Sequence, residues 1–227
     1  MIESVLLLAI DTCGPSGSVA LGRLAGGAVE ILGQIELEGR SYSATLVAAV
    51  DELLARSGVE LRELAAIVAV NGPGSFTGVR VGLSAVKGLA EAARIPVVAV
   101  SRLEVLAAKA GLESAALDAH RHEVFLRLGR PDREATEMLA GAAELAAVNP
   151  AGGRIAVCDD AAASLLSSAW PDAQLVRTPP PTAADALDLC APRVVAGEFV
   201  DVALLDGHYL RRSDAEIFGE PVAPQRL

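Results

Sequence analysis

The chain of 227 residues is 52% hydrophobic and 21% charged, poor in aromatics at 3%, with a formal net charge of -10 at pH 7 and a pI near 4.8. That length suffices for one large or two small lobes with real cores, while that charge repels polyanions and argues against a lone nucleic-acid-binding module. The apolar run Val5 to Ile10, with Glu3 and no basic region ahead of it, is too short for a membrane span or secretion signal; the 3 cysteines, Cys13, Cys158 and Cys190, lack a C-x-x-C pair and fit a reducing cytoplasm better than a disulfide framework or zinc site.

From the N-terminus, "SVLLLAIDT" reads as a buried strand, "GPSG" as a turn, "SVALGR" as a second strand and "VEILGQIELEG" as a third. Short glycine-containing turns between them predict an antiparallel meander. In "SATLVAAVDELLARSG", Leu46, Val47, Val50, Leu53 and Leu54 recur at helical spacing, with serines ahead and Gly58 behind, which predicts a capped amphipathic helix. "AAIVAVN" predicts a buried strand, Thr77 to Arg94 a helix, "IPVVAVS" a strand and "RLEVLAAKAG" a helix. The predicted order so far is βββαβαβα, an antiparallel meander followed by parallel crossovers.

Beyond it, "SAALDAHRHEVFLRLGR" predicts a tight hairpin with strands near Ser114 to Asp118 and Glu123 to Leu128, and "GRIAVCDD" a further strand. "AWPDAQLVRTPPPTA" reads as a proline-rich connection, and "AADALDLCAPRVVAGE" as a helix interrupted or kinked at Pro192. A lobe boundary is expected near residues 100 to 112, giving a first lobe at 1–105 and a smaller one at 106–227, with the helix near 183–198 returning to the first lobe. No repeat period marks a solenoid.

The stretch "NGPGSFTGVRVGLSAVKGLA", Asn71 to Ala90, is the most distinctive. It is not a Walker A loop, because Val79, Arg80 and Val81 follow Gly78 where lysine and a hydroxyl are needed; nor is it a dinucleotide G-x-G-x-x-G, which it misses by one position. A strand-to-helix turn leads instead into a helix containing Gly78, Gly82 and Gly88. Each internal glycine costs roughly 1 kcal/mol relative to alanine, so something must pack against bare backbone. Gly78, Gly82, Ala85 and Leu89 form a small-residue ridge at helical spacing, which serves either internal packing or a partner helix.

"LLLAIDT" with "SVAL", then "VNGPGSFTGVRVGLSAVKGLA", "IPVVAVSRLEVLA", "LDAHRHEVFL" and "HYLRR" recur in order across nearly the whole chain, which thereby resembles the bacterial TsaB family, also called YeaZ. The resemblance implies an α/β two-lobed fold of the actin, sugar kinase and Hsp70 ATPase type, with a ribonuclease H-like first lobe. It also implies an accessory role in the cytoplasm. TsaB-like proteins bind the paralogous catalytic subunit TsaD and, with the ATPase TsaE, support threonylcarbamoyl transfer to the adenosine beside the tRNA anticodon. TsaD-like sequences carry an H-x-x-x-H metal motif after the strand matching "IPVVAVS", where this chain has Arg102 and Leu106. The resemblance therefore implies a subunit without catalytic residues, cofactor or metal of its own. ATP, ADP and metal belong to its partners, tRNA is reached only through the complex, and the isolated chain forms a homodimer through the paralogous surface.

The candidate interface lies on the helices near 43–57 and 77–94, with Leu46, Val50, Leu53, Gly78, Gly82 and Ala85 at the contact or supporting it. Other residues have plainer readings. His120 and His122 form H-x-H within a solvated hairpin turn, with no third ligand. Asp11 stands where ATPases of this fold carry a magnesium-linked aspartate, and reads here as a turn residue bonding nearby backbone. Cys13 lacks a histidine near it in sequence to activate it as a nucleophile. Tyr42 departs from the histidine common in the family, which would alter the subunit pairing if it lies at the contact. Two alternative readings are a glycoprotease-like peptidase and an ATP-binding kinase or ATPase of the same fold; "GGRIAVCDDAAASLL" is a poor adenosine pocket for the second.

Overall fold

A computed structural model describes residues 4–38, 41–130, 133–148 and 153–211. Strands β1 (Val5–Asp11), β2 (Ser16–Ala25), β3 (Ala28–Glu38), β4 (Leu64–Val70) and β5 (Val97–Val100) form one sheet in the order β3-β2-β1-β4-β5. The first three are an antiparallel meander, and β4 and β5 add in parallel to β1. β1 lies in the middle of the sheet, so Leu7 to Ile10 are apolar without alternation, whereas edge strand β3 carries Glu30, Gln34 and Glu36.

Helices α1 (Tyr42–Ser57) and α2 (Phe76–Ala93) cover one face of this sheet. Glycines let them approach: a Cβ at Gly33 would press on Leu53, and one at Gly17 on Tyr42. Gly58, in the left-handed region at φ 63°, ends α1, and the Ser75 side chain caps α2 by accepting from the Gly78 amide. The opposite face is covered by α6 (Ala183–Ala196), whose first amide donates to Ser18 Oγ at 2.8 Å and whose Leu187 fills the space beside Gly22. The Thr182–Asp185 capping box starts α6, and Gly197 ends it.

The second sheet contains β6 (Ala115–Asp118), β7 (Val124–Arg130), β8 (Arg133–Ala140), β9 (Arg154–Val157) and β10 (Gln174–Arg177), in the order β10-β9-β6-β7-β8, with α4 (Ala142–Ala147) and α5 (Asp160–Ala169) packed on it. Helix α3 (Arg102–Lys109) is shared. Its Val105 belongs to the core of the first sheet, while Leu103, Leu106 and Ala107 pack with Leu117 and Phe125 of the second. This is the α/β two-lobed architecture that the sequence resemblance implies.

Two local expectations are corrected, and one strand, β8, lies where no element was read. The stretch read as a proline-rich connection contains β10, a half-buried edge strand of residues with no strong periodicity of their own. "REATEMLA" forms β8, where the antiparallel ladder with β7 overrides the helical preference of Glu, Ala and Met. Helix α6 runs through Pro192 without interruption; Pro192 is exposed, and the carbonyl it leaves without an amide partner belongs to exposed Asp188. The C-terminal end of the predicted second lobe, 212–227, lies outside the described residues.

Candidate functional site

The turn after β1 meets the turn after β4 beneath the start of α2. Asp11 Oδ1 accepts from the Cys13 amide at 2.8 Å, the local backbone bond read from the sequence. Its Oδ2 accepts from Arg102 Nε at 3.2 Å, with side-chain exposures of 2% and 6% for Asp11 and Arg102. Burial alone disfavours the guanidinium's charge, but the Asp11 carboxylate outweighs it and holds Arg102 above its ordinary range. A Cβ on Gly14 would strike the same guanidinium. The residues present therefore do not fit a cation at Asp11, because an internal cation already neutralises it.

The glycines of "NGPGSFTGVRVG" serve the same turn. Cβ atoms on Gly74, Gly78 and Gly82 would run into the Cys13 carbonyl, the Thr12 carbonyl and Thr12 Oγ1 respectively. Thr12 Oγ1 donates to the Gly78 carbonyl at 2.7 Å, and the Ser75 amide donates to the Cys13 carbonyl at 2.7 Å. The bare backbone thus seats the β1 turn. Gly88 has open space around its missing Cβ.

This placement bears on the expected interface residues. Gly78 and Gly82 face inward, and Leu46, Val50 and Leu53 are buried in the chain's own core, which leaves them beneath the helix surface as support rather than on it. The apolar stripe of α1 is the one its own sheet requires. Ala85 is half-buried, as are Val81 and Leu89, while Val47 on α1 is 61% exposed. Tyr42 is buried, with its hydroxyl donating to the Gly14 carbonyl at 2.9 Å; burial, reinforced by Asp11, raises its pKa. Burial likewise pushes the Cys13 thiol well above its usual pKa, with Asp11 adding to the effect, and the thiol donates to the Val70 carbonyl at 3.2 Å.

His120 and His122 sit in the β6–β7 turn, where His120 Nδ1 lies 2.9 Å from Asp118 Oδ2 and is 84% exposed. Among the described residues, no group of three or more His, Cys, Asp or Glu side chains is placed to hold a metal ion.

Sequence reasoning missed a second polar cluster between the lobes. Glu137 of β8, with a side chain only 7% exposed, accepts from Ser101 Oγ at 2.7 Å and Arg127 Nη1 at 2.8 Å, and meets His208 Nε2 at 2.8 Å. Burial raises its pKa, but the bonds from His208, Ser101 and Arg127 prevail and hold the carboxyl below its usual range. A cleft of about 310 Å³ opens here, lined among others by Asn71, Ser101, Glu104, Arg127, Glu137 and His208. Asn71 and Ser101 follow the C-terminal ends of parallel strands β4 and β5, the usual ligand edge of such sheets. No sequence signal marked Glu137, whose partners are far away along the chain.

The family model for TsaD, tRNA N6-adenosine threonylcarbamoyltransferase, matches residues 32–153. The Haemophilus influenzae tRNA threonylcarbamoyladenosine biosynthesis protein TsaB is 38% identical over 131 residues, which are 55% of this chain and 53% of that protein. The Escherichia coli protein of the same name is 37% identical over 125 residues, 52% of each chain. The chain therefore spans about half the length of the curated relatives it matches. A crystal structure of a protein described as similar to peptidase YeaZ from Pseudomonas aeruginosa superposes with a TM-score of 0.74 at 31% identity, covering 91% of this chain and 100% of that one.

Proposed function

This chain belongs to the TsaB (YeaZ) family, matched in part by the TsaD model, and from that premise we propose that it is a non-catalytic accessory subunit in threonylcarbamoyladenosine modification of tRNA. It docks on a TsaD-like catalytic subunit and, with a TsaE-like ATPase, supports threonylcarbamoyl transfer to the adenosine beside the anticodon. The observation that carries the reading is the buried Asp11–Arg102 pair. Arg102 stands where TsaD-like sequences place the first metal-binding histidine, and its guanidinium neutralises the carboxylate that a metal or nucleotide would require. ATP and metal chemistry then reside in the partners.

The docking surface is the outward side of packed helices α1 and α2, where Val47 is exposed and Val81, Ala85 and Leu89 are half-buried. A second copy of the chain uses the same side in the absence of the partner. With a net charge of -10, the protein leaves tRNA to basic surfaces of the other subunits. Among the described residues, no helix is long and apolar enough to cross a membrane. The peptidase alternative requires a reactive centre, and the buried, protonated Cys13 supplies none.

Calorimetry with the cognate TsaD-like subunit tests this. Val47→Asp should retain the wild-type melting temperature and weaken binding at least about tenfold, as expected for a charge placed in an apolar interface. Wild-type affinity in the variant would remove the proposed surface, and chelator-sensitive turnover of a test peptide by the purified chain would remove the non-catalytic reading.

A further inference from the structure

The segment from Val200 to Arg211 contains no helix or paired strand of its own, yet it is anchored to both lobes. At its start, Val200 bridges to Val97 at the free edge of β5, its amide donating to the Val97 carbonyl at 2.9 Å, and Leu205 is buried in the first core. In the middle, the His208 amide donates to the Asn71 carbonyl at 2.7 Å, directly beside the glycine turn, and the Tyr209 ring lies 5.2 Å from that of Phe76, the first residue of α2. At its end, Leu210 packs with the second-sheet cluster around Leu117 and Phe125, and Arg211 pairs with Glu123. A single short segment thus joins β5, the β4–α2 turn, β7 and β8.

His208 is the one residue in this segment that binds both sides at once. Its backbone holds Asn71 of the first lobe, and its ring holds Glu137 of the second. Glu137 also holds Ser101, the N-cap of α3, and α3 is the helix whose side chains enter both cores. His208 also forms one wall of the cleft of about 310 Å³.

We propose that Val200–Arg211 is a strap that clasps the second lobe against the first, with His208 as its pin. Releasing the His208–Glu137 bond loosens β8 against the Asn71 turn, with Glu137 then held by Ser101 and Arg127 alone, and opens the cleft from its His208 side. The released arrangement differs from the clasped one by local contacts, with α3 still packed in both cores. The strap stands independently of the docking surface proposed above, since the contacts that define it do not involve Val47, Val81, Ala85 or Leu89.

Hydrogen–deuterium exchange on the full chain tests it without any partner. In His208→Ala, amides of β8 and of residues 71–76 and 101–106 should exchange at least about tenfold faster, with β9 and α5 unchanged. His208→Gln, whose amide nitrogen reaches toward Glu137, should restore most of the protection. If exchange rises only within 200–211, or if the Gln variant is as open as the Ala variant, the clasp is wrong. Leu210→Ala, which loosens the second-lobe end and leaves the Glu137 bonds in place, provides a second reading should His208→Ala fold poorly. It should also speed exchange in β8, and wild-type protection there would equally overturn the proposal.

Discussion

Arg102 Nε and Asp11 Oδ2 are 3.2 Å apart in a site closed to solvent, joining the first residue of α3 to the last residue of β1 across 91 positions of sequence. A buried ion pair of this kind adds little over an apolar replacement of both partners, but removing one partner leaves a bare charge in the interior. Arg102→Met is therefore expected to destabilise the chain by about 3–5 kcal/mol, while the double replacement with Asp11→Asn recovers part of the loss. Urea unfolding checks both. A loss below about 1 kcal/mol in the single variant would show that the pair carries no structural weight.

Gly78, Gly82 and Gly88 lie on the same helix but should respond in opposite directions. Alanine at Gly78 or Gly82 drives a methyl into Thr12, an overpacking expected to cost about 1–3 kcal/mol. Alanine at Gly88 meets open space and should stabilise α2 by roughly 0.5–1 kcal/mol. Thermal melts of the three variants distinguish a seat for the β1 turn from a general tolerance of glycine in this helix; equal effects would contradict it.

Thiol titration provides an independent check of the β1 turn. Cys13 and Cys190 are buried, burial pushes the Cys190 thiol up to about 12, and Cys158 is half-buried with its pKa also raised by burial. Native protein at pH 8 should react slowly with an aromatic disulfide, and all 3 cysteines should react at once in denaturant. Rapid native labelling of Cys13 would reopen the nucleophile reading.

Acid should weaken the contact between the lobes through Glu137. Its folded pKa is depressed below its unfolded value, so its contribution is complete above the ordinary carboxylate range and is lost as pH falls through the folded pKa. In denaturant titrations between about pH 5 and 3, Glu137→Gln should flatten part of the decline in stability relative to wild type. A variant whose curve keeps the wild-type slope would assign the acid sensitivity to other carboxylates.

Much of the first lobe was legible because its signals are local. The unbroken apolar run of β1, the alternation in β3, the stripe of Leu46, Val50 and Leu53, and Gly58 after it each depend on neighbours a few residues away. The same stripe does not by itself mark an interface. Helical periodicity shows which side of α1 is apolar, not whether its own sheet or a partner covers it, and the sheet proved to take it. In the second lobe, β8 and β10 were illegible because their strand state comes from the ladders they join rather than from their side chains.

By itself, the sequence determined that bare backbone was needed after β4, since internal glycines are costly without a close neighbour, though not that Gly88 has none. Only the tertiary structure decided that the neighbour of Gly78 and Gly82 is Thr12, that Arg102 neutralises Asp11, and that Glu137 gathers Ser101, Arg127 and His208. Such pairings follow from strand order and helix crossing, which place residues tens of positions apart within bonding distance, and periodicity over a few turns carries no record of that.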